Sequence, residues 1–386
     1  MAFRARFRLE QGTLLLACVL AVFGSADGSA QSIDAAGLRA NAIAFEQRGE
    51  NAEAEQAWRT IAETDPRNAE ALAHLGLLEA RQNRLENAIG FYRRAIALNP
   101  ELPGLQMNLG LALFKGAQFP DAMKAFSAEI EKHPDDQRLT ILLGMAHYGM
   151  KDYFVAIPYL RRAANHDPQN LTLRMALARS CLLSKQYGCV MDVHREIKLL
   201  KPEAANADML AAEALDAQRD HDGAVEQARA ALQANPDEIN AHFALAYLLW
   251  KKGEWAEAVR EFKAELELYP QNTEARIYLA DSQVQGGDFA AALPELQKVV
   301  ASGSSEALIH LDLGIIAAKQ GHTEDAFREF SAATKNASAN AEISLRIAKQ
   351  LELLGRTEES RLERERANRL PQPEYPSLLD ILEPSQ

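Results

Sequence analysis

The stretch Leu72–Pro100, LAHLGLLEARQNRLENAIGFYRRAIALNP, carries the pattern from which the fold is read. Gly76 and Ala88 are small residues twelve apart, one on each arm of a helical hairpin, where they let two backbones approach closely. Leu75 and Tyr92 are large and fill the space that remains between helices. Pro100 ends the second arm, because the residue before a proline is pushed out of the α region. Outward from this stretch, Pro66, Pro100, Pro134, Pro168, Pro202, Pro236 and Pro270 stand 34 residues apart without a slip. A fixed period of that size is one structural unit copied along the chain.

With each proline at position 32 of its unit, ten frames in phase begin at residues 35, 69, 103, 137, 171, 205, 239, 273, 307 and 341. Position 8 is Gly76, Gly110, Gly144 and Gly314, with alanine in other copies, and position 20 is alanine in most. Position 24 is bulky: Trp58, Tyr92, Phe126, Leu160, Phe262, Leu296 and Phe330. Position 15 is Gly49, Gly253, Gly287, Gly321 and Gly355, suited to the left-handed residue that closes a first helix. A coiled coil would need a period of seven, which is absent. Departures mark weaker places. Repeats five and six carry Val190, His194 and Ala228 at key positions, with His194 read as a partly shielded interior residue rather than a ligand. Ser302-Gly303-Ser304-Ser305 replaces a proline and predicts a mild hinge. Pro158 and Pro294 fall near the start of a second helix, where proline costs less than in the interior.

The pattern resembles the tetratricopeptide repeat family over about residues 35–370, best in Leu72–Pro100 and Leu105–Pro134. The resemblance implies an all-α fold, a right-handed superhelical solenoid of about ten helix-turn-helix repeats, with the first helix of each pair lining a concave groove. It also implies a scaffold that binds protein or peptide partners.

Neither end belongs to the array. Arg4, Arg6 and Arg8, then the apolar run Leu14–Phe23, then small residues ending at Ala30, predict a signal peptide over 1–30 cleaved after Ala30. Lipid attachment at Cys18 and an uncleaved anchor are the alternatives, and the run is short for a membrane span. The expected domains are thus the leader, a solenoid over 31–370 and a proline-rich tail over 371–386. In that tail Leu378, Leu379, Ile381 and Leu382 form one short amphipathic turn, favoured as a cap on the last repeat, with docking in a groove as the alternative. Loss of the leader takes the formal charge from −12 to −13, since three arginines leave with two acids. An acidic chain with scattered lysines has no electrostatic reason to hold nucleic acid.

The chemistry of sites is sparse. Cys181 and Cys189 lie symmetrically about a turn at Lys185 in repeat five, and both a bridge and two free thiols are compatible with that spacing. The nine histidines are spread one per repeat or fewer, with no pair at metal-ligand spacing, and no glycine-rich phosphate loop is present. No catalytic residue, cofactor or metal is expected. Asn170-Leu171-Thr172 and Asn336-Ala337-Ser338 match the short glycosylation triplet.

The family's groove positions, carried onto this chain, give Met107, Leu111, Phe114, Ile141, Met145 and Tyr148 in repeats three and four. Repeat five adds Met175, and repeat seven adds Phe243, Tyr247 and Trp250. An acidic step at Glu213 and Asp216 divides the two stretches. Aromatic anchors with adaptable methionines suit extended or helical peptides, although the same residues could pack against the next repeat. The leading expectation is an exported, non-enzymatic scaffold of a bacterial cell envelope, periplasmic or secreted. A self-assembling, homo-oligomeric structural protein and an accessory subunit of an envelope complex are the alternatives.

Overall fold

A computed structural model describes residues 31–337, 340–370 and 375–382. The expected leader with Cys18 and Ala30, Ser338, Pro371 and Pro373 lie outside these residues. The chain divides into two units at His166 and Asp167. Unit one contains α1 (Gln31–Arg48), α2 (Asn51–Thr64), α3 (Ala69–Arg81), α4 (Leu85–Leu98), α5 (Leu105–Lys115), α6 (Phe119–Lys132), α7 (Gln137–Gly149) and α8 (Tyr153–His166). Unit two contains α9 (Leu171–Leu183), α10 (Tyr187–Leu200), α11 (Ala205–Ala217), α12 (His221–Ala234), α13 (Ala241–Lys252), α14 (Trp255–Leu268), α15 (Thr273–Gln285) and α16 (Phe289–Ala301). It continues through α17 (Ala307–Lys319), α18 (Thr323–Asn336), α19 (Ala341–Leu353), α20 (Thr357–Arg369) and the short α21 (Leu378–Leu382). Each of the ten frames is one antiparallel pair, and no strand occurs among the described residues.

Local chemistry sets the turns. Position 15 is left-handed in all ten frames: φ is +75° at Gly49 and +78° at Gly253, and still positive at Asn83, Ala117, Lys151, Lys185 and Arg219. The fold imposes that conformation whether or not glycine is there to relieve it. The residue before the repeat proline is pulled off the helix, with φ −145° and ψ 93° at Asn99 and φ −148° and ψ 101° at Asn235. Where position 34 is Asn, as at Asn68, Asn170, Asn272 and Asn340, its side chain accepts from a backbone N–H of the next first turn.

Where position 8 is glycine, the position-24 side chain fills the notch it leaves, a ring at Tyr92, Phe126 and Phe330 and a leucine at Leu160. A Cβ at Gly110 would lie 2.4 Å from the Phe126 ring, and one at Gly314 2.4 Å from Phe330. Trp58, Tyr92, Phe126 and Leu160 in unit one are buried, as are Phe262, Leu296 and Phe330 in unit two. One detail differs from the sequence reading. Pro158 and Pro294 stand at the sixth residue of α8 and α16, past the first turn, so each forfeits an intrahelical hydrogen bond. The core of unit two runs on past Ser302–Ser305, from Ala205 to Leu351, with buried residues on both sides of the expected hinge.

Candidate functional site

First helices touch first helices: α3 meets α5 in unit one, and α13, α15, α17 and α19 meet in sequence in unit two. Their shared side is the inner face of each unit. It carries positions 5, 6, 9 and 12 of the repeats.

In unit two this face holds an aromatic cluster. Tyr247 lies 5.5 Å from Trp250 ring to ring, and Tyr278 packs edge-on against Trp250 at 4.8 Å and Tyr247 at 5.1 Å. Phe243 stacks at 6.1 Å from Tyr247. The Trp250 indole N–H donates to Asp281 Oδ2 at 2.5 Å, and Arg346 from α19 donates to both Asp281 oxygens. Asp312 lies 3.8 Å from the same guanidinium. Burial would push both acids up; at Asp281 the Arg346 charge and hydrogen bond outweigh it and hold the carboxyl below its ordinary range. Asp312 keeps the burial effect, reinforced by the Asp281 charge, and stands well above its ordinary range.

Residues 375–382 lie on this cluster. The Tyr375 ring meets Trp250 edge-on at 4.2 Å, and the Tyr247 hydroxyl donates to the Pro376 carbonyl at 2.8 Å. Burial raises the Tyr247 phenol far above its ordinary value, so it remains a donor. The Leu378 side chain is fully buried, and its N–H donates to Asp216 Oδ2 at 2.6 Å. Asp216 Oδ1 accepts from Lys251 Nζ at 2.7 Å and meets His221 Nδ1 at 2.9 Å. Burial pushes the Tyr375 phenol up to about 12, with the Arg346 guanidinium pulling the other way. Asp380 adds to the effect of burial in raising the Tyr187 phenol on α10. The segment thus reaches from Arg346 of repeat ten back to Asp216 of repeat six. It lies on α11 and α13, where the favoured expectation had a cap over the last repeat.

The expected groove residues divide accordingly. Phe243, Tyr247 and Trp250 come together on the inner face of unit two, 0–2% exposed beneath the segment and Tyr278. Met175 on α9 is half-buried. In unit one Met107 is buried, while Leu111, Phe114, Ile141, Met145 and Tyr148 are half-buried. Phe114 packs edge-on against Phe119 at 5.4 Å, and Tyr148 against Tyr153 at 5.6 Å. Cys181 and Cys189 are joined as a disulfide with a Cα separation of 5.8 Å, inside the normal range for such bridges. His194 Nε2 pairs with Asp208 Oδ1 at 2.8 Å. Asn170 is committed to capping α9. Among the described residues no group of three or more His, Cys, Asp or Glu side chains could hold a metal ion, and no helix is long and apolar enough to cross a membrane.

Sequence reasoning passes over Tyr278, Arg346 and Asp312 at position 6, Asp281 at position 9, and the aromatic series at position 17, Phe119, Tyr153, Tyr187, Trp255 and Phe289. That series recurs at the repeat period and is a usable signal.

The sequence profile of the tetratricopeptide repeat family matches residues 39–103, 107–170, 193–239 and 243–308. The chain is 30% identical over 111 residues to the protein O-mannosyl-transferase Tmtc3 of Drosophila melanogaster, covering 28% of this chain and 12% of that protein. It is 28% identical over 99 residues to the protein CTR9 homolog of Arabidopsis thaliana, covering 25% and 9%. The chain spans about a tenth of the length of these curated relatives. The solved C-terminal part of a TPR repeat-containing protein of Cytophaga hutchinsonii matches with a TM-score of 0.52 at 16% identity, covering 63% of this chain and 99% of that one, a likeness of fold alone. With the profile matched over more than half its length and the helix pairs in register with it, this chain belongs to the tetratricopeptide repeat family.

Proposed function

We propose that this chain is a non-enzymatic scaffold that holds partner peptide segments along the inner faces of its repeats. The repeats themselves mark a protein–protein interaction module. One observation carries the finer reading. Residues 375–382 are held on unit two by main-chain contacts that any peptide can make, a carbonyl to Tyr247 and an amide to Asp216, and by two side-chain anchors, a ring on Trp250 and a leucine in the core. The basic, then apolar, then small residues before Ala30 favour export into a bacterial envelope, and the Cys181–Cys189 bridge accords with an oxidising compartment.

The test is photo-crosslinking in the cell with the probe at Tyr148, on the half-buried face of unit one. One dominant foreign protein, lost when Phe114 and Met145 become alanine, is the expected result. Products containing this chain alone would reject the partner-scaffold reading in favour of self-assembly.

A further inference from the structure

The inner face of unit two is covered by a segment of the same chain, and the contacts that hold it are particular. Tyr375 and Pro376 lie extended across Trp250 and Tyr247. The chain then turns into α21 through a reciprocal cap. Ser377 Oγ–H donates to Asp380 Oδ2 at 2.7 Å, and the Asp380 N–H donates to Ser377 Oγ at 3.2 Å. The Ser377 N–H also donates to Asp380 Oδ2 at 3.1 Å. Such a box lets a turn form without a long helix behind it. The capped turn aims Leu378 into the core and its N–H at Asp216.

The attachment is small beside the repeats. Of the segment's apolar side chains only Leu378 is fully buried, while Leu379, Ile381 and Leu382 are half-buried and Asp380 is exposed. The helix pairs pack through small residues at position 8 and the residue at position 24, such as Ala212 with Ala228 and Ala246 with Phe262, all buried and none of them in the segment. Departure of the segment withdraws Leu378 from the edge of that core and leaves the helix–helix contacts of the repeats in place. The acids it covers keep partners when it goes, since Asp216 retains Lys251 and His221 and Asp281 retains Arg346 and Trp250.

Resting on the peptide-scaffold reading above, we propose that residues 375–382 are an intrachain competitor for a partner segment, one bearing an aromatic residue, a proline and a Ser- or Thr-capped turn with a leucine after the cap and an acid three residues after it. The tether supplies a local concentration in the millimolar range, so a free ligand of equal intrinsic affinity meets a face that is mostly closed. A partner must outbid the tether or carry better contacts at the same anchors.

The probe is a fluorescent synthetic peptide of residues 371–386, titrated by anisotropy. It is added to the full chain, to the chain ended at Leu370, and to a full chain carrying Tyr375→Ala and Leu378→Asp. The last form guards against misfolding on truncation. The two opened forms should bind equally well and the unaltered chain on the order of 10- to 100-fold more weakly. Trp250→Ala in the opened chain should abolish binding. Equal affinity for all three forms would refute the competitor while leaving the scaffold reading intact. So would an unaltered chain that is dimeric by light scattering and becomes monomeric on losing 371–386, which would assign the segment to a second copy. No binding to either opened form, with helicity retained, would sink the ligand chemistry. The Tyr148 crosslink, on a different face, would still decide whether the chain holds partners at all.

Discussion

At position 12 unit one carries Phe114 and Tyr148, and unit two carries Asp216 and Trp250. The rings of unit one turn back onto position 17 of their own repeat, Phe119 and Tyr153. In repeat six the same step is polar, with His221 at position 17 meeting Asp216. Trp250 turns forward instead, to Tyr278 and Asp281 of the next repeat and to Tyr375. Position 9 runs in parallel: Leu77, Leu111 and Met145 in unit one, against Arg179, Glu213, Tyr247 and Asp281 in unit two. Unit one has one polar station at these positions, Glu46, which is satisfied within the repeats by Trp58 and His74, and the apolar positions that follow need nothing over them. A face that alternates aromatic rings with buried acids and their cations has specific partners to satisfy, and that specificity lets it recognise a segment.

The hardest way to break this contrast is to remove the cation beneath Trp250. Arg346→Met leaves Asp281 ionised or forces two buried acids to share protons with no counter-charge. The loss should be on the order of 3–5 kcal/mol in the unfolding free energy. Urea denaturation followed at tryptophan measures it. A loss under about 1 kcal/mol would mean that the acids are neutralised by taking up protons once the cation is gone.

A second break is by pH. Burial pushes Glu213 on α11 from its ordinary 4.5 up to about 7, with the Arg179 charge opposing. Between those values the folded chain keeps a proton that the unfolded chain has released, so stability falls as pH rises from about 4.5 through about 7. The full effect is roughly 3 kcal/mol. Glu213→Gln should abolish it, leaving the variant more stable than the parent at pH 8 and close to it at pH 5. Parallel urea titrations at the two pH values give the answer, and an unchanged slope in the variant would place the titration elsewhere.

Most of the fold is legible in residues such as Gly110, Phe126 and Pro134, because each repeat pays for its own turn and packs by contacts that recur at one period. The site is legible only in part. The carried-over groove positions bring Phe243, Tyr247 and Trp250 to one face, since that face is a property of the repeat. They say nothing of what covers it. Tyr247 reaches Pro376 across 129 residues and Asp216 reaches Leu378 across 162, and no periodicity links those positions. Arg346 is equally hidden, because a charge at position 6 reads as solvated until Asp281 is seen beneath it.

A finer version of the comparison asks how firmly the segment is held. Tyr247→Phe keeps the ring and removes the hydroxyl that donates to Pro376 and also meets the Tyr278 hydroxyl, at a cost to the segment of about 1 kcal/mol. The Leu378 amide, bonded to Asp216, should then exchange with solvent about five-fold faster, while amides of α5 and α7 do not change. Faster exchange in unit one as well would mean that the hydroxyl supports the whole chain rather than the docked segment.

The smallest effect separates what belongs to every repeat from what belongs to one face. Position 15 is left-handed at Ala117 in unit one, φ +57°, and at Gly287 in unit two, φ +83°. A side chain in that region costs about 1–2 kcal/mol, partly offset by the entropy that glycine loses on folding. Ala117→Gly should therefore stabilise by about 0.5–1 kcal/mol. Gly287→Ala should destabilise by a similar amount, because a Cβ there meets nothing within 4 Å and only the backbone registers the change. Equal and opposite shifts in denaturation midpoint would show that both units obey one turn rule, and would leave the inner faces as the feature that distinguishes them. A much larger loss at Gly287 would make the turn itself part of what unit two uses to hold its segment.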